Sequence, residues 1–129
     1  MGYLGSAFAK KALKKGHDVY LYDSLIYEQN PSRMIKEISE NKKESAELKF
    51  IIGDTRNKEL LKSSLENFKP TYVLHFGELS SVYACNHNPI FTENINYKAS
   101  KQVIDICEEL NLKVFYNSTS SVYGTQKES

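Results

Sequence analysis

Thr71-Tyr-Val-Leu-His-Phe76 is the stretch on which the fold turns. It is a short apolar run set between turn residues, and such a run suits a strand covered on both faces, as strands are in parallel sheets. Just upstream, residues 57 to 68 place Leu60, Leu61, Leu65 and Phe68 on one side of an amphipathic helix. Before that helix, Lys49-Phe-Ile-Ile-Gly-Asp54 reads as another strand. Further back, Asp18-Val-Tyr-Leu-Tyr-Asp23 is a third strand, preceded by a helix over residues 4 to 15 that carries Leu4, Ala7, Phe8, Ala12 and Leu13 and stops at Gly16. The polar stretch from Leu25 to Leu48 predicts a helix after Pro31 and a loop around Asn41 to Ser45. Downstream, a long helix over residues 91 to 110 aligns Ile95, Ala99, Val103, Ile106 and Leu110, and Lys113-Val-Phe-Tyr-Asn-Ser118 closes the series as a strand.

Strands alternating with helices pair in parallel through right-handed crossovers, with helices over both faces. The expectation is α/β class: a doubly wound parallel sheet, in one domain covering residues 1–129. In such sheets ligands bind beyond the carboxyl ends of the strands.

Seventeen basic against sixteen acidic residues leave a formal charge of +1, so no global field draws in nucleic acid or an anionic membrane. Lys10, Lys11, Lys14 and Lys15 cluster at the end of a helix, where cations offset the dipole. Cys85 and Cys107 form neither a metal motif nor a disulfide framework, and no signal peptide or long apolar run precedes them, which predicts a reduced, cytoplasmic protein. Cys107 falls on an apolar helix side as core filling. His17, His75 and His87 are too scattered for a sequence-local zinc site.

Four segments meet the strand ends. Met1-Gly-Tyr-Leu-Gly-Ser6 precedes a helix, where glycines let a phosphate approach backbone N–H groups. Asp23 closes a strand twenty residues after Tyr3, and an acid there accepts both hydroxyls of an adenosine ribose while repelling the extra phosphate of NADP. Gly53-Asp54-Thr55 and His75-Phe-Gly-Glu-Leu-Ser80 complete the edge. Each is ordinary alone; a turn, a close-packing glycine or a solvated carboxylate would explain it equally well.

In this order, however, the segments resemble the extended short-chain dehydrogenase/reductases, the NAD-dependent sugar-nucleotide epimerases and dehydratases, over nearly the whole chain. Gly2-Tyr-Leu-Gly-Ser6 looks like the last two glycines of the family's fingerprint, followed by Gly16-His-Asp-Val19 and the strand-end Asp23. Gly53-Asp-Thr-Arg56, His75-Phe-Gly-Glu78, Asn94-Ile-Asn96 and Ser118-Thr-Ser-Ser-Val-Tyr-Gly124 resemble later family segments. The resemblance implies NAD as cofactor. It puts Gly2, Tyr3, Leu4 and Gly5 at the pyrophosphate, Asp23 on the ribose, and Asp54 and Thr55 at the adenine. Phe76, Gly77, Glu78, Ser80 and Asn94 would lie toward the nicotinamide. Thr119 takes the catalytic Ser/Thr position, bonding the substrate oxygen that gains or loses a proton as hydride moves.

There are departures: Tyr97 and Lys98 replace a usual Gly-Thr, Gly77-Glu78 a commoner Ala-Gly or Ala-Ala, and Ser80 a Lys of some epimerases. Tyr123 and Lys127 spell the family's Tyr-x-x-x-Lys but form a poor helix, with Gly124 directly after the tyrosine. In the family, Val-Tyr-Gly ends the strand bearing the catalytic Ser/Thr, and the base tyrosine begins a later helix. The pair is therefore a coincidence of letters. The family also opens with a buried apolar strand before its first glycine, between the strands ending here at Asp23 and Phe76. The expectation is thus a partial cofactor half with exposed strand edges, inactive alone. In an intact enzyme the substrate would be a nucleotide sugar, with UDP-glucose 4-epimerase-like chemistry. A reductase of the same superfamily and a non-catalytic nucleotide-binding module stay open. So do a homodimer through the helix at 91 to 110 and a core role for that helix face.

Overall fold

A computed structural model describes residues 2–27 and 30–124. Helix α1, Tyr3–Lys15, begins at an extended Gly2 and ends at Gly16, whose φ of 93° is the left-handed conformation that glycine adopts without strain. The Gly16 and His17 N–H groups close the last turn on the Leu13 and Ala12 carbonyls. Lys14 and Lys15 sit in that turn, on the side the helix dipole favours.

Strand β1, Val19–Asp23, pairs in parallel with β2, Leu48–Ile52, from Val19 opposite Leu48 to Asp23 opposite Ile52. Between them runs α2, Pro31–Ser39, started by Pro31 and by the Asn30 side chain, which accepts from the Arg33 N–H. Helix α3, Lys58–Phe68, is capped in the same way by Asn57 and leads to β3, Tyr72–His75. Strand β3 pairs in parallel with β4, Lys113–Tyr116, placing His75 opposite Tyr116. Among the described residues no ladder joins the two pairs, so the parallel strands form two two-stranded sheets.

Two expectations need correction. Strand β3 is not covered on both faces: Tyr72 is 59% exposed, and burial deepens only toward His75, at 5%. With a single bonded neighbour, its amino end has too little structure around it to be enclosed. Likewise the buried stripe of α1 is Ala9 and Leu13, whereas Leu4 and Phe8 are about half exposed. Ala9 and Leu13 face the first sheet, packing with Ile38 and Ala46 against Val19, Leu21, Leu48 and Phe50. Phe8 instead turns its ring toward Phe76, 6.5 Å away.

The second core joins Leu61 and Leu65 of α3 to Val103, Ile106 and Cys107, with Val73, Leu110 and Val114 against them. The apolar face of the long helix is therefore interior. Cys107 is fully buried and burial pushes its thiol up, which makes it inert packing. The long helix expected over 91 to 110 is compound: α5, Pro89–Thr92, then a π-helical stretch, Glu93–Ala99, then α6, Ser100–Glu109. Sequence periodicity also gave no warning of α4, Val82–His87, capped by Ser81, or of the 3-10 turn Ser120–Tyr123 after β4. No helix among the described residues is long and apolar enough to cross a membrane.

Candidate functional site

The carboxyl ends of β1, β2 and β3 open onto one cavity, lined among others by Gly2, Tyr22, Asp23, Gly53, Asp54, Thr55, Phe76, Gly77, Glu78 and Ile95. Seven of the residues singled out from the sequence therefore converge: Gly2, Asp23, Asp54, Thr55, Phe76, Gly77 and Glu78. Tyr3, Leu4 and Gly5 form the first turn of α1 beside it. Ser80, Asn94 and Thr119 do not line it.

Each wall has a local cause. The amino end of α1 carries no side-chain cap, so its first N–H groups, apart from that of Ser6, which bonds the Gly2 carbonyl, are available to an anion. The chain turns after β1 because Asp23 Oδ1 accepts from the Leu25 N–H at 2.8 Å. After β2, Gly53 lies over the Tyr22 ring so closely that a Cβ there would collide with it. The Tyr22 hydroxyl donates to the Asp54 carbonyl at 3.0 Å. Burial, and secondarily the Asp54 charge, push that phenol up, so it remains a neutral donor.

Asp54 is held by Arg56, whose Nη2 donates to Oδ2 at 2.6 Å and whose backbone N–H donates to Oδ1 at 2.8 Å. These bonds hold the carboxyl below the usual range. Arg56 is thereby spent on Asp54, and its guanidinium also lies over the Phe91 ring at 5.2 Å. Among the described residues, Asp23, Asp54 and Glu78 line the cavity and no Lys, Arg or His does. Such a wall accepts hydroxyl and amide donors and opposes an additional phosphate.

The third wall, the turn after β3, is fastened by a residue that pattern reading passed over. Asn96 Oδ1 accepts from the Leu79 N–H at 2.8 Å and its Nδ2 donates to the Leu79 carbonyl at 2.9 Å. Asn94, the residue expected at the cofactor, accepts from Lys98 at 3.1 Å. A second polar chain lies beneath the turn. His75 stacks on Tyr116 with ring centroids 6.0 Å apart, and its Nε2 lies 2.9 Å from Ser100 Oγ. Burial lowers the His75 pKa, partly offset by the Glu78 charge. The nearby Glu78 carboxylate, with burial second, pushes the Tyr116 phenol up. Glu78 Oε1 is shielded from solvent and has no hydrogen-bond partner among the described residues.

Thr119 is exposed and caps the last turn, accepting from the Ser121 N–H at 3.3 Å. Tyr123 lies at the end of that 3-10 turn and is exposed, while Lys127 falls outside the described residues. Among the described residues no group of His, Cys, Asp and Glu could hold a metal ion.

Parallel strands ending at one cavity, with an uncapped helix terminus on one side and a strand-end acid on another, define a nucleotide-binding α/β protein of the doubly wound kind. The chain belongs to the NAD dependent epimerase/dehydratase family, whose model matches residues 1–129. It is 29% identical over 126 residues to a UDP-glucose 4-epimerase of Klebsiella pneumoniae, covering 97% of this chain and 88% of that one. It is 27% identical over 128 residues to a CDP-paratose 2-epimerase of Salmonella typhi, covering 95% of this chain and 36% of the relative. The crystal structure of a UDP-glucose 4-epimerase from Stenotrophomonas maltophila, with bound NAD and formylated UDP-arabinopyranose, superposes with a TM-score of 0.86 at 23% identity. That match covers 98% of this chain and 37% of the other. The chain thus spans little more than a third of the Salmonella relative and of this solved structure.

Proposed function

We propose that this chain is the NAD-binding part of a nucleotide-sugar epimerase or dehydratase of the UDP-glucose 4-epimerase type. The observation that carries the reading is the meeting of Gly2, Asp23, Asp54 and Phe76 to Glu78 on one cavity at the strand ends. Its residues suit an extended dinucleotide: free helix N–H groups for a pyrophosphate, carboxylates for hydroxyls, and an orphaned acceptor at Glu78.

When bound, NAD supplies a reversible hydride acceptor. The N–H groups of Tyr3, Leu4 and Gly5, at the positive end of α1, hold the pyrophosphate, and Gly2 leaves room for it. Asp23 takes the adenosine ribose hydroxyls, and Asp54 and Thr55 border the adenine. The turn from Phe76 to Ser80 borders the nicotinamide half, with Asn94 approaching from the long helix. Thr119 bonds the substrate oxygen whose proton moves with the hydride, positioning it for a base supplied by another part of the enzyme. The nucleotide sugar and any homodimer belong to that intact enzyme.

Calorimetric titration of NAD, with circular dichroism on the same sample, tests the reading. Saturable binding weakened about tenfold or more by Asp23→Ala is the expected result, since a charge-assisted hydrogen bond contributes about 1.5–3 kcal/mol. A folded chain that does not bind NAD would overturn it.

A further inference from the structure

We propose that Glu78 reads a hydrogen-bond donor on the far half of the dinucleotide, a ribose hydroxyl or the carboxamide N–H, and so selects a whole dinucleotide over a mononucleotide. The inference rests on the NAD reading above but does not follow from it, since a cavity that binds the adenosine end needs no carboxylate at this position.

Three observations converge on it. First, Glu78 lines the same cavity as Asp23 and Asp54 but lies on a different strand end, after β3. Second, its Oε1 is shielded from solvent and has no partner among the described residues. A buried acceptor left unmade is costly, and native structures keep few without a reason. Rotation about the last side-chain bond is soft, so the carboxylate can turn that oxygen toward a donor entering the cavity. Third, the group is held ready. The Glu78 carboxylate lies close enough to Tyr116 to raise its phenol, His75 stacks on Tyr116, and Asn96 fixes the neighbouring Leu79 backbone at both its polar atoms. A carboxylate only accepts, so the matching ligand group must donate, and an anionic group would be repelled.

Among the described residues the cavity lining offers no cation to neutralise Glu78 in place of a ligand. The orphaned oxygen is therefore a standing cost in the free protein that a donor on the ligand removes. Tyr116 is a positioning residue in this account, because it acts through Glu78.

Calorimetric titration of the full chain with NAD, ADP-ribose and AMP tests this. For Glu78→Ala the expected result is about tenfold or greater weakening of NAD binding, with AMP binding unchanged. Equal weakening for ADP-ribose identifies the ribose hydroxyl as the donor; unchanged ADP-ribose binding identifies the carboxamide. Glu78→Gln, which keeps volume and one carbonyl acceptor, should weaken NAD less than Glu78→Ala does. Tyr116→Phe should weaken NAD but not AMP. NAD binding unchanged in Glu78→Ala, or AMP weakened as much as NAD, would overturn the proposal while leaving the NAD reading in place. A wild-type chain that binds neither NAD nor AMP would overturn both.

Discussion

His75 Nε2 lies 2.9 Å from the Ser100 hydroxyl, which donates in turn to the Ile95 carbonyl at 3.4 Å. With the hydroxyl proton committed to Ile95, the imidazole donates through Nε2–H and keeps its lone pair on Nδ1. The chain is buried and ties β3, beneath the cavity, to the long helix. Ser100→Ala leaves the ring donor unsatisfied and should cost about 1–3 kcal/mol of stability, read from urea denaturation. A loss under 0.5 kcal/mol would show that the bond is not formed; this threshold is about half the net value of an ordinary hydrogen bond.

The same histidine makes stability depend on pH. Burial disfavours the imidazolium, so the folded-state pKa lies below the ordinary value of about 6.5. As pH falls below about 6.5 the unfolded chain binds more protons than the folded one, and the fold loses stability. Above that value His75 contributes no slope. Urea midpoints at about pH 7.5 and pH 5.5 should therefore differ, and His75→Gln should shrink the difference. An undiminished difference in the variant would assign the slope to other groups.

Gly53→Ala drives a methyl group into the Tyr22 ring. Overpacking of this kind costs about 1–3 kcal/mol, and it would dislodge the phenol from the Asp54 carbonyl as well. Pairing it with Tyr22→Leu should return part of the loss, because the clash is with the ring. A strictly additive double mutant would show that the two positions are not in contact.

Asn96→Ala removes both hydrogen bonds to Leu79, whereas Asn94→Ala removes an exposed one from Lys98. If the turn after β3 borders the dinucleotide, Asn96→Ala should weaken NAD by about fivefold to tenfold, corresponding to about 1–1.4 kcal/mol. Asn94→Ala should have a smaller effect. The reverse order would make Asn94 the more important contact.

Arg56→Lys is not conservative here. The arginine fork meets both Asp54 oxygens and covers Phe91, and an ammonium cannot do both. The pair is partly exposed, so the expected loss is only about 0.5–1 kcal/mol. Because the bonds depress the Asp54 pKa, this stabilisation holds above the ordinary carboxylate range and is lost as pH falls through the folded value. Arg56→Lys should therefore differ most from wild type near neutral pH and converge with it in acid.

The carboxyl ends of the strands were legible in the sequence because chemistry and punctuation coincide there. Asp23, Asp54 and the Gly77-Glu78 turn follow short β-branched or aromatic runs, and all reach the cavity. Helix faces were less legible. Spacing alone favours Leu4 and Phe8 as much as Leu13, and only the position of β1 and β2 decides which side of α1 is enclosed. Asn96 was passed over because a side chain that clamps a backbone seventeen residues away leaves no local signature. The orphaned oxygen of Glu78 is a property of packing, which no pattern of letters reveals.

The π-helical stretch Glu93–Ala99 makes the long helix sensitive to deletion in a way that substitution would not disclose. A π turn amounts to one residue inserted into an α-helix. Excising one residue between 97 and 99 would let the segment relax to regular α geometry. Everything on its amino side would then rotate by about 100° relative to α6, one residue's share of a turn. Asn96 would swing off Leu79 and Phe91 off Arg56, although every remaining side chain would keep its identity. Length at this point of the chain is thus as much a part of the cavity's construction as the residues that line it.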